Sequence, residues 1–209
     1  MTTIFNAHTL TCAQTGELAR ALSHGAVAVF ATDTVYGIGT GAFCETSVQK
    51  IYTIKNRPAT QPLQLLVAHT AQARQIAQFS PSALRVAQAY WPGGLTLILP
   101  PAPGAKALLR GAPGLGIRVP AYEPLRQILA QATMPLCSTS ANLHGQPVLT
   151  QEKDVLDTFN GWVDYIVLGG TLSPTASSVL DVTCTPARLL REGSILKTDL
   201  ARVYGAPME

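Results

Sequence analysis

Apolar residues come in short blocks separated by glycine, proline and hydroxyl residues, and the blocks alternate between two periods. Ala26-Val-Ala-Val-Phe-Ala31, bounded by Gly25 and Thr32, is too short for a helix and reads as a buried strand. Residues 63–68, 95–99, 116–120, 135–139, 164–168, 179–183 and 188–191 read as further strands. Between them the spacing turns helical. Thr11-x-x-Gln14 fits a capping box and predicts a helix to about Ser23, stopped by Gly25. Val48, Ile51, Tyr52 and Lys55 share one side of a second helix. Helices are also predicted from Thr70, from Ser80-Pro81 with serine as cap and proline at the first helical position, and over 123–132 and 152–159. Trp91-Pro-Gly-Gly94 is a turn. Residues 32–42 read as a loop, and so does the Pro- and Gly-rich stretch 100–113, whose length points to a functional segment. Strands and helices interleave, with several strands adjacent near the end. That pattern predicts one α/β domain over 1–209 with a mixed parallel and antiparallel sheet and helices on its faces.

Composition sharpens this picture in two places. Charged residues make up 13% of the 209, about half the usual ~25%, which excludes a coiled coil or a disordered tail. The net charge of +3 is unevenly placed: between Glu45 and Glu123 there is no acidic residue, yet Lys50, Lys55, Arg57, Arg74, Arg85, Lys106, Arg110 and Arg118 all fall there. Solvated surface charge would account for such a stretch, and so would a face that handles anions. Ten arginines against five lysines favour two-pronged contacts with phosphate or carboxylate. The first ten residues lack a basic segment leading into an apolar run, and the longest apolar run, 26–31, is far below the ~18 residues of a membrane span. A soluble cytoplasmic protein is expected. Cys12, Cys44, Cys137 and Cys184 are widely spaced and the histidines form no metal motif, so free buried thiols and no bound metal are expected.

Gly37-Ile-Gly39-Thr-Gly41-Ala42 comes close to a dinucleotide fingerprint but has no acidic residue about 20 positions on to hold a ribose. Walker A, nucleophile-elbow and zinc patterns are all missing, so any nucleotide site must be built differently. Four segments offer polar groups where strands or helices end. Thr32-Asp-Thr-Val-Tyr-Gly37 follows a buried strand, although a local turn closed by Asp33 and Thr34 would explain it equally well. Lys55-Asn-Arg57-Pro58 ends a helix, where its cations would also offset the helix dipole. Ser138-Thr-Ser140-Ala-Asn142 places three hydroxyls and an amide where they can donate to phosphate or ligate a hydrated cation, or form a plain turn. Arg118 sits inside an apolar strand and calls for a partner; Ser177-Ser178 and Arg191 lie near later strands.

Taken in order, Ala31-Thr-Asp-Thr-Val-Tyr-Gly-Ile-Gly39, Lys55-Asn-Arg-Pro-Ala-Thr-Gln-Pro-Leu63, Trp91-Pro-Gly-Gly-Leu-Thr96, Ile117-Arg-Val-Pro120, Ser140-Ala-Asn-Leu-His-Gly145, Ser177-Ser-Val-Leu-Asp181 and Arg191-Glu-Gly193 resemble the motifs of the threonylcarbamoyl-AMP synthases of the YrdC/TsaC type, across about residues 13–196. The resemblance implies a twisted α/β fold with a basic concave cleft. It also implies an adenylyl transfer in which L-threonine, bicarbonate and ATP give threonylcarbamoyl-AMP and pyrophosphate, with Mg²⁺ on the ATP. The product would serve the threonylcarbamoyl modification of adenosine 37 in tRNA, alongside other proteins of that modification. By the same matching, Lys55 and Arg57 would be catalytic. Lys55, Arg57, Gln61, Thr96, Ser140, Asn142 and Arg191 would hold ATP, and Thr34, Arg118, Ser138 and Ser177 would hold threonine. Ala31, Gly94, Gln61 and Glu192 depart from the common residues, and Leu66 stands where longer members often have a threonine-contacting histidine. The chain is expected to be a short form without their extra C-terminal domain. The alternative class is a non-catalytic module using the same basic face for tRNA or double-stranded RNA; aromatics at 6%, with no interleaved basic and aromatic platform, weigh against it.

Overall fold

Local signals place most of the elements. In the computed structural model, which describes residues 1–209, the Thr11 side chain accepts from the Gln14 amide while the Gln14 side chain reaches back to Thr11, and the capping box opens α1 (Cys12–Ser23). Ser80 caps α4 (Pro81–Tyr90) with its hydroxyl alone, which accepts from the Ala83 amide at 3.1 Å. The remaining helices are α2 (Glu45–Lys55), α3 (Thr70–Ile76), α5 (Glu123–Gln131), α6 (Glu152–Phe159) and α7 (Lys197–Tyr204). The strands are β1 (Thr3–Asn6), β2 (Ala28–Phe30), β3 (Gly37–Gly41), β4 (Gln64–Leu66), β5 (Leu95–Leu99), β6 (Leu115–Arg118), β7 (Leu136–Ser140), β8 (Tyr165–Leu168), β9 (Ser178–Asp181) and β10 (Arg188–Arg191). No helix is long and apolar enough to cross a membrane.

All ten strands join one sheet in the order β1-β8-β2-β3-β7-β4-β6-β5-β9-β10, with parallel and antiparallel neighbours mixed as the interleaved pattern implies. Two stretches depart from the loops expected of them. The stretch 32–42 is not all loop, because Gly37-Ile-Gly-Thr-Gly41 forms β3 between β2 and β7. Its three glycines hide the strand from any propensity argument. They are needed for packing: a Cβ on Gly39 would lie 2.7 Å from the Cys137 carbonyl oxygen and 3.1 Å from the Phe30 ring. The stretch 100–113 contains a 3₁₀ helix over Pro103–Leu109. β1 and α7 were not anticipated at all.

Side-chain alternation then assigns two faces. Leu65, Leu97, Ile117, Cys137 and Leu180 point to one side, where they pack with Val48 and Tyr52 of α2, Val86 of α4 and Leu200 of α7. Val29, Ile38 and Ile166 continue that side under Phe159 of α6. Phe30, Leu66, Leu136 and Val167 point the other way, beneath Leu18 and Leu22 of α1 and Leu125 and Leu129 of α5. Full burial of each such side chain is worth about 1.5–3 kcal/mol, so this pattern sets the register firmly. The second core draws on β2, β4, β7 and β8 but on none of β6, β5, β9 and β10. There the same face carries Gly116, Thr96 and Arg118 beside Ile98 and Val179, and no helix covers it.

Candidate functional site

The open face is the floor of a cavity of about 770 Å³. Register brings its residues together in two rows across the sheet. Gly39, Ser138, Gln64, Gly116 and Ile98 stand side by side along one row, and Arg118, Thr96 and Val179 along the next, while Gly37 and Ser140 lie on the opposite side of the first row. Gly116 leaves the centre of the floor bare; a Cβ there would touch only Thr96 and Gln64, at 3.6 Å or more.

Arg118 is 3% exposed and finds the partner its strand position calls for. Its Nη2 donates to Asp33 Oδ1 at 2.6 Å, its Nη1 to Thr34 Oγ1 at 2.9 Å and its Nε to the Gly93 carbonyl at 3.0 Å. One N–H on each terminal nitrogen remains for a ligand. The turn that follows β2 is closed not by Asp33 but by Thr32, whose Oγ1 accepts from the Thr34 amide at 3.0 Å and donates to the Val35 carbonyl at 2.6 Å. Asp33 is thereby free to meet Arg118.

On the far wall, Arg191 donates to the Ser177 carbonyl at 2.9 Å and to its Oγ at 3.1 Å. Ser177 Oγ lies 3.1 Å from Thr96 Oγ1, which donates to Gln64 Oε1 at 2.9 Å. Gln64 was not singled out in the sequence; its only signal was a polar residue opening an apolar strand. Ser138, 1% exposed, faces Gly37, where a Cβ would come within 3.1 Å of its hydroxyl. Leu66 is buried under α1 and α5 and does not line the cavity.

The helix-end cations split. Arg57 lines the cavity together with Gln61, its Nε and Nη2 donating to the Gln61 and Pro62 carbonyls at 3.3 Å. Lys55 does not project into the cavity as a helix-end side chain would; it is 1% exposed. Its ammonium donates to the Ser140 carbonyl at 2.5 Å, to the Asn142 carbonyl, and to Asn142 Oδ1 at 3.3 Å. Asn142 is likewise behind the wall: its Oδ1 accepts from Ser140 Oγ at 2.6 Å and its Nδ2 donates to the Gln146 carbonyl at 2.7 Å. The reason is that the Ser140 and Asn142 carbonyls face inward as the chain leaves β7, with only the Asn142 amide reaching Ser140, and an ammonium satisfies both at once. Of the two, only Ser140 reaches the cavity.

Three guanidinium groups, Arg57, Arg118 and Arg191, thus line the cavity and no carboxylate does. Burial pushes the Arg57 and Arg191 guanidiniums below their ordinary value, and Arg118 adds like-charge repulsion at Arg191. Burial, with Arg57 nearby, brings Lys55 down to about 8. Partly desolvated cations held close together are stabilised most by an anion between them. A second, smaller cavity of about 420 Å³ shares Thr34 with the first and is lined by Asp33, Gly94, Ser173, Thr175 and Ser194. The lining offers a cation hydroxyls and one carboxylate that Arg118 already holds, and no cluster of three histidine, cysteine or acidic side chains exists. That donor set suits a Mg²⁺ that arrives on a polyphosphate rather than a resident ion.

The Sua5/YciO/YrdC family model, described as telomere recombination, matches residues 20–193. The chain belongs to this family. A Sua5/YciO/YrdC relative, the threonylcarbamoyl-AMP synthase of Pyrococcus abyssi (strain GE5 / Orsay), is 33% identical over 187 residues, 88% of this chain and 55% of its own length. The threonylcarbamoyl-AMP synthase of Idiomarina loihiensis is 34% identical over 174 residues, 78% of this chain and 91% of its own. Among solved structures, Pyrococcus abyssi Sua5 complexed with L-threonine superposes with a TM-score of 0.90 at 29% identity, over 100% of this chain and 62% of that one. The chain spans about half the length of the first curated relatives it matches, 55% and 57%.

Proposed function

We propose that this Sua5/YciO/YrdC chain is a threonylcarbamoyl-AMP synthase: a nucleotidyltransferase that joins L-threonine, bicarbonate and ATP, with release of pyrophosphate, for the threonylcarbamoyl modification of tRNA. The observation that carries the reading is the acid-free cavity with its three arginines, large enough for a nucleotide and an amino acid together. The names of the relatives supply the reaction.

The chemistry asks for no protein nucleophile. The amine of threonine takes up bicarbonate as a carbamate, a carbamate oxygen attacks the α-phosphorus, and pyrophosphate leaves. Positioning and positive charge are what such a transfer requires. In this reading Arg57 and Arg191 stabilise the triphosphate as charge moves onto the leaving group, and Gln61, Thr96 and Ser140 orient it. Arg118 seats the threonine carboxylate on its two remaining N–H groups, with Thr34, Ser138 and Ser177 around the amino acid. Lys55 and Asn142 serve the nucleotide at one remove, by fixing the turn that carries Ser140. Mg²⁺ bound to ATP neutralises the phosphates.

A cavity lined by no aromatic side chain gives less support to the RNA-binding alternative, which needs a stacking surface. Incubation with ATP, Mg²⁺, bicarbonate and each amino acid in turn tests the reading: pyrophosphate should require both threonine and bicarbonate. Equal release with glycine, or without bicarbonate, would sink it. Contacts with tRNA, or with other proteins of the modification, and a cytoplasmic location belong to the same proposal.

A further inference from the structure

Asp33 is the one carboxylate lining either cavity, and half of it is uncommitted. Oδ1 accepts from Arg118 at 2.6 Å, whereas Oδ2 has no hydrogen-bond partner in the chain. The Asp33 side chain is 15% exposed and opens onto the smaller cavity, whose other lining residues are hydroxyls and Gly94. Position 94 has no room for a side chain, since a Cβ there would lie 2.1 Å from Ser194 Oγ, another of the lining groups. Thr34 belongs to both cavities, so a ligand on Arg118 lies within one residue of the Asp33 side.

Positive and negative groups are therefore fixed side by side, each with a free face, at the junction of two polar spaces. An α-amino acid is the zwitterion that matches this pair. Resting on the synthase reading above, we propose that Asp33 holds the ammonium group of the amino-acid substrate and accepts the proton released as the carbamate forms. The ammonium and bicarbonate give the carbamate, one water and one proton; the N–C bond forms and the bicarbonate C–OH bond breaks. Of the two protons nitrogen loses, one leaves with the hydroxide as water and the other goes to Asp33 Oδ2. From there it passes to solvent through the hydroxyl-lined notch.

The test compares L-threonine with its 2-hydroxy analogue, 2,3-dihydroxybutanoate, which keeps the carboxylate and side chain but lacks the ammonium. Calorimetric titration of the wild-type chain should show threonine binding about tenfold or more tighter than the analogue, the loss expected for one charge-assisted contact. Asp33→Asn, which keeps an oxygen for Arg118, should shrink that preference to about twofold while leaving ATP affinity intact. Its pyrophosphate release should fall even at saturating threonine. Equal binding of the two acids by wild type overturns the proposal, as does an Asp33→Asn variant that keeps the full preference. If Asp33→Asn does not fold, the wild-type comparison alone decides. A wild type that turns over threonine without discriminating removes Asp33 only, whereas one that neither binds threonine nor releases pyrophosphate removes the synthase reading with it.

Discussion

Lys55→Met separates a cation that touches substrate from one that builds the wall behind it. Methionine keeps much of the aliphatic stem, so the change removes the ammonium and little packing. The Asn142 carbonyl loses its side-chain donor, while the Ser140 carbonyl keeps the Asn142 amide and Asn142 Oδ1 keeps the Ser140 hydroxyl. A buried acceptor left unsatisfied costs about 1–3 kcal/mol, and relief from burying a charge offsets part of the total. A net loss of about 1–2 kcal/mol follows, which for a domain of this size lowers Tm by about 2–8 °C. The pH dependence supplies a second signature. Burial brings Lys55 from 10.5 to about 8, so between those values the unfolded chain binds more protons than the folded one. The contribution of Lys55 to stability is therefore constant below pH 8 and rises with pH from about 8 to 10.5. At 1.36 kcal/mol per pH unit, the advantage of wild type over Lys55→Met should widen by about 3 kcal/mol across that window. Calorimetric melts of both proteins at pH 7, 8.5 and 10 read this directly. An unchanged Tm together with abolished turnover would refute the reasoning and return Lys55 to direct contact with the nucleotide.

Arg118→Lys should raise the threonine KM by about ten- to a hundredfold with ATP affinity nearly unchanged, because an ammonium loses the two-pronged geometry. It should also lower Tm, since Asp33, Thr34 and Gly93 share that guanidinium; steady-state kinetics beside a melt check both, and an unchanged KM removes Arg118 from the amino-acid seat. Arg57→Ala should reduce kcat/KM for ATP by about a hundredfold or more, at a small cost in Tm, as its hydrogen bonds are peripheral. Thr96→Val breaks the link from Gln64 to Ser177 and should cost about 1–2 kcal/mol of stability, read from a urea titration.

The elements that could be read from the sequence are those whose signal is local. The capping box at Thr11, the Ser80-Pro81 cap and the apolar run before Thr32 each act within a few residues, and each appears in the structure. β3 could not be read this way, because its five residues become a strand only when Phe30 and β7 press against glycines. The polar segments at strand ends were visible, and Arg57, Thr34, Ser138, Ser140, Thr96, Arg118, Ser177 and Arg191 do meet in one cavity. Which of two neighbouring cations faces that cavity was not visible. Lys55 and Arg57 are two residues apart at one helix end, and only the inward carbonyls of Ser140 and Asn142 draw Lys55 into the interior. Gln64 and Asp33 gain their meaning in the same manner, from Thr96 and Arg118, which lie far along the chain and come alongside only through the register of the sheet. Covalent neighbours decide caps and apolar strands, whereas a glycine strand and the partners of a buried polar group are decided by what the fold packs against them or leaves unsatisfied.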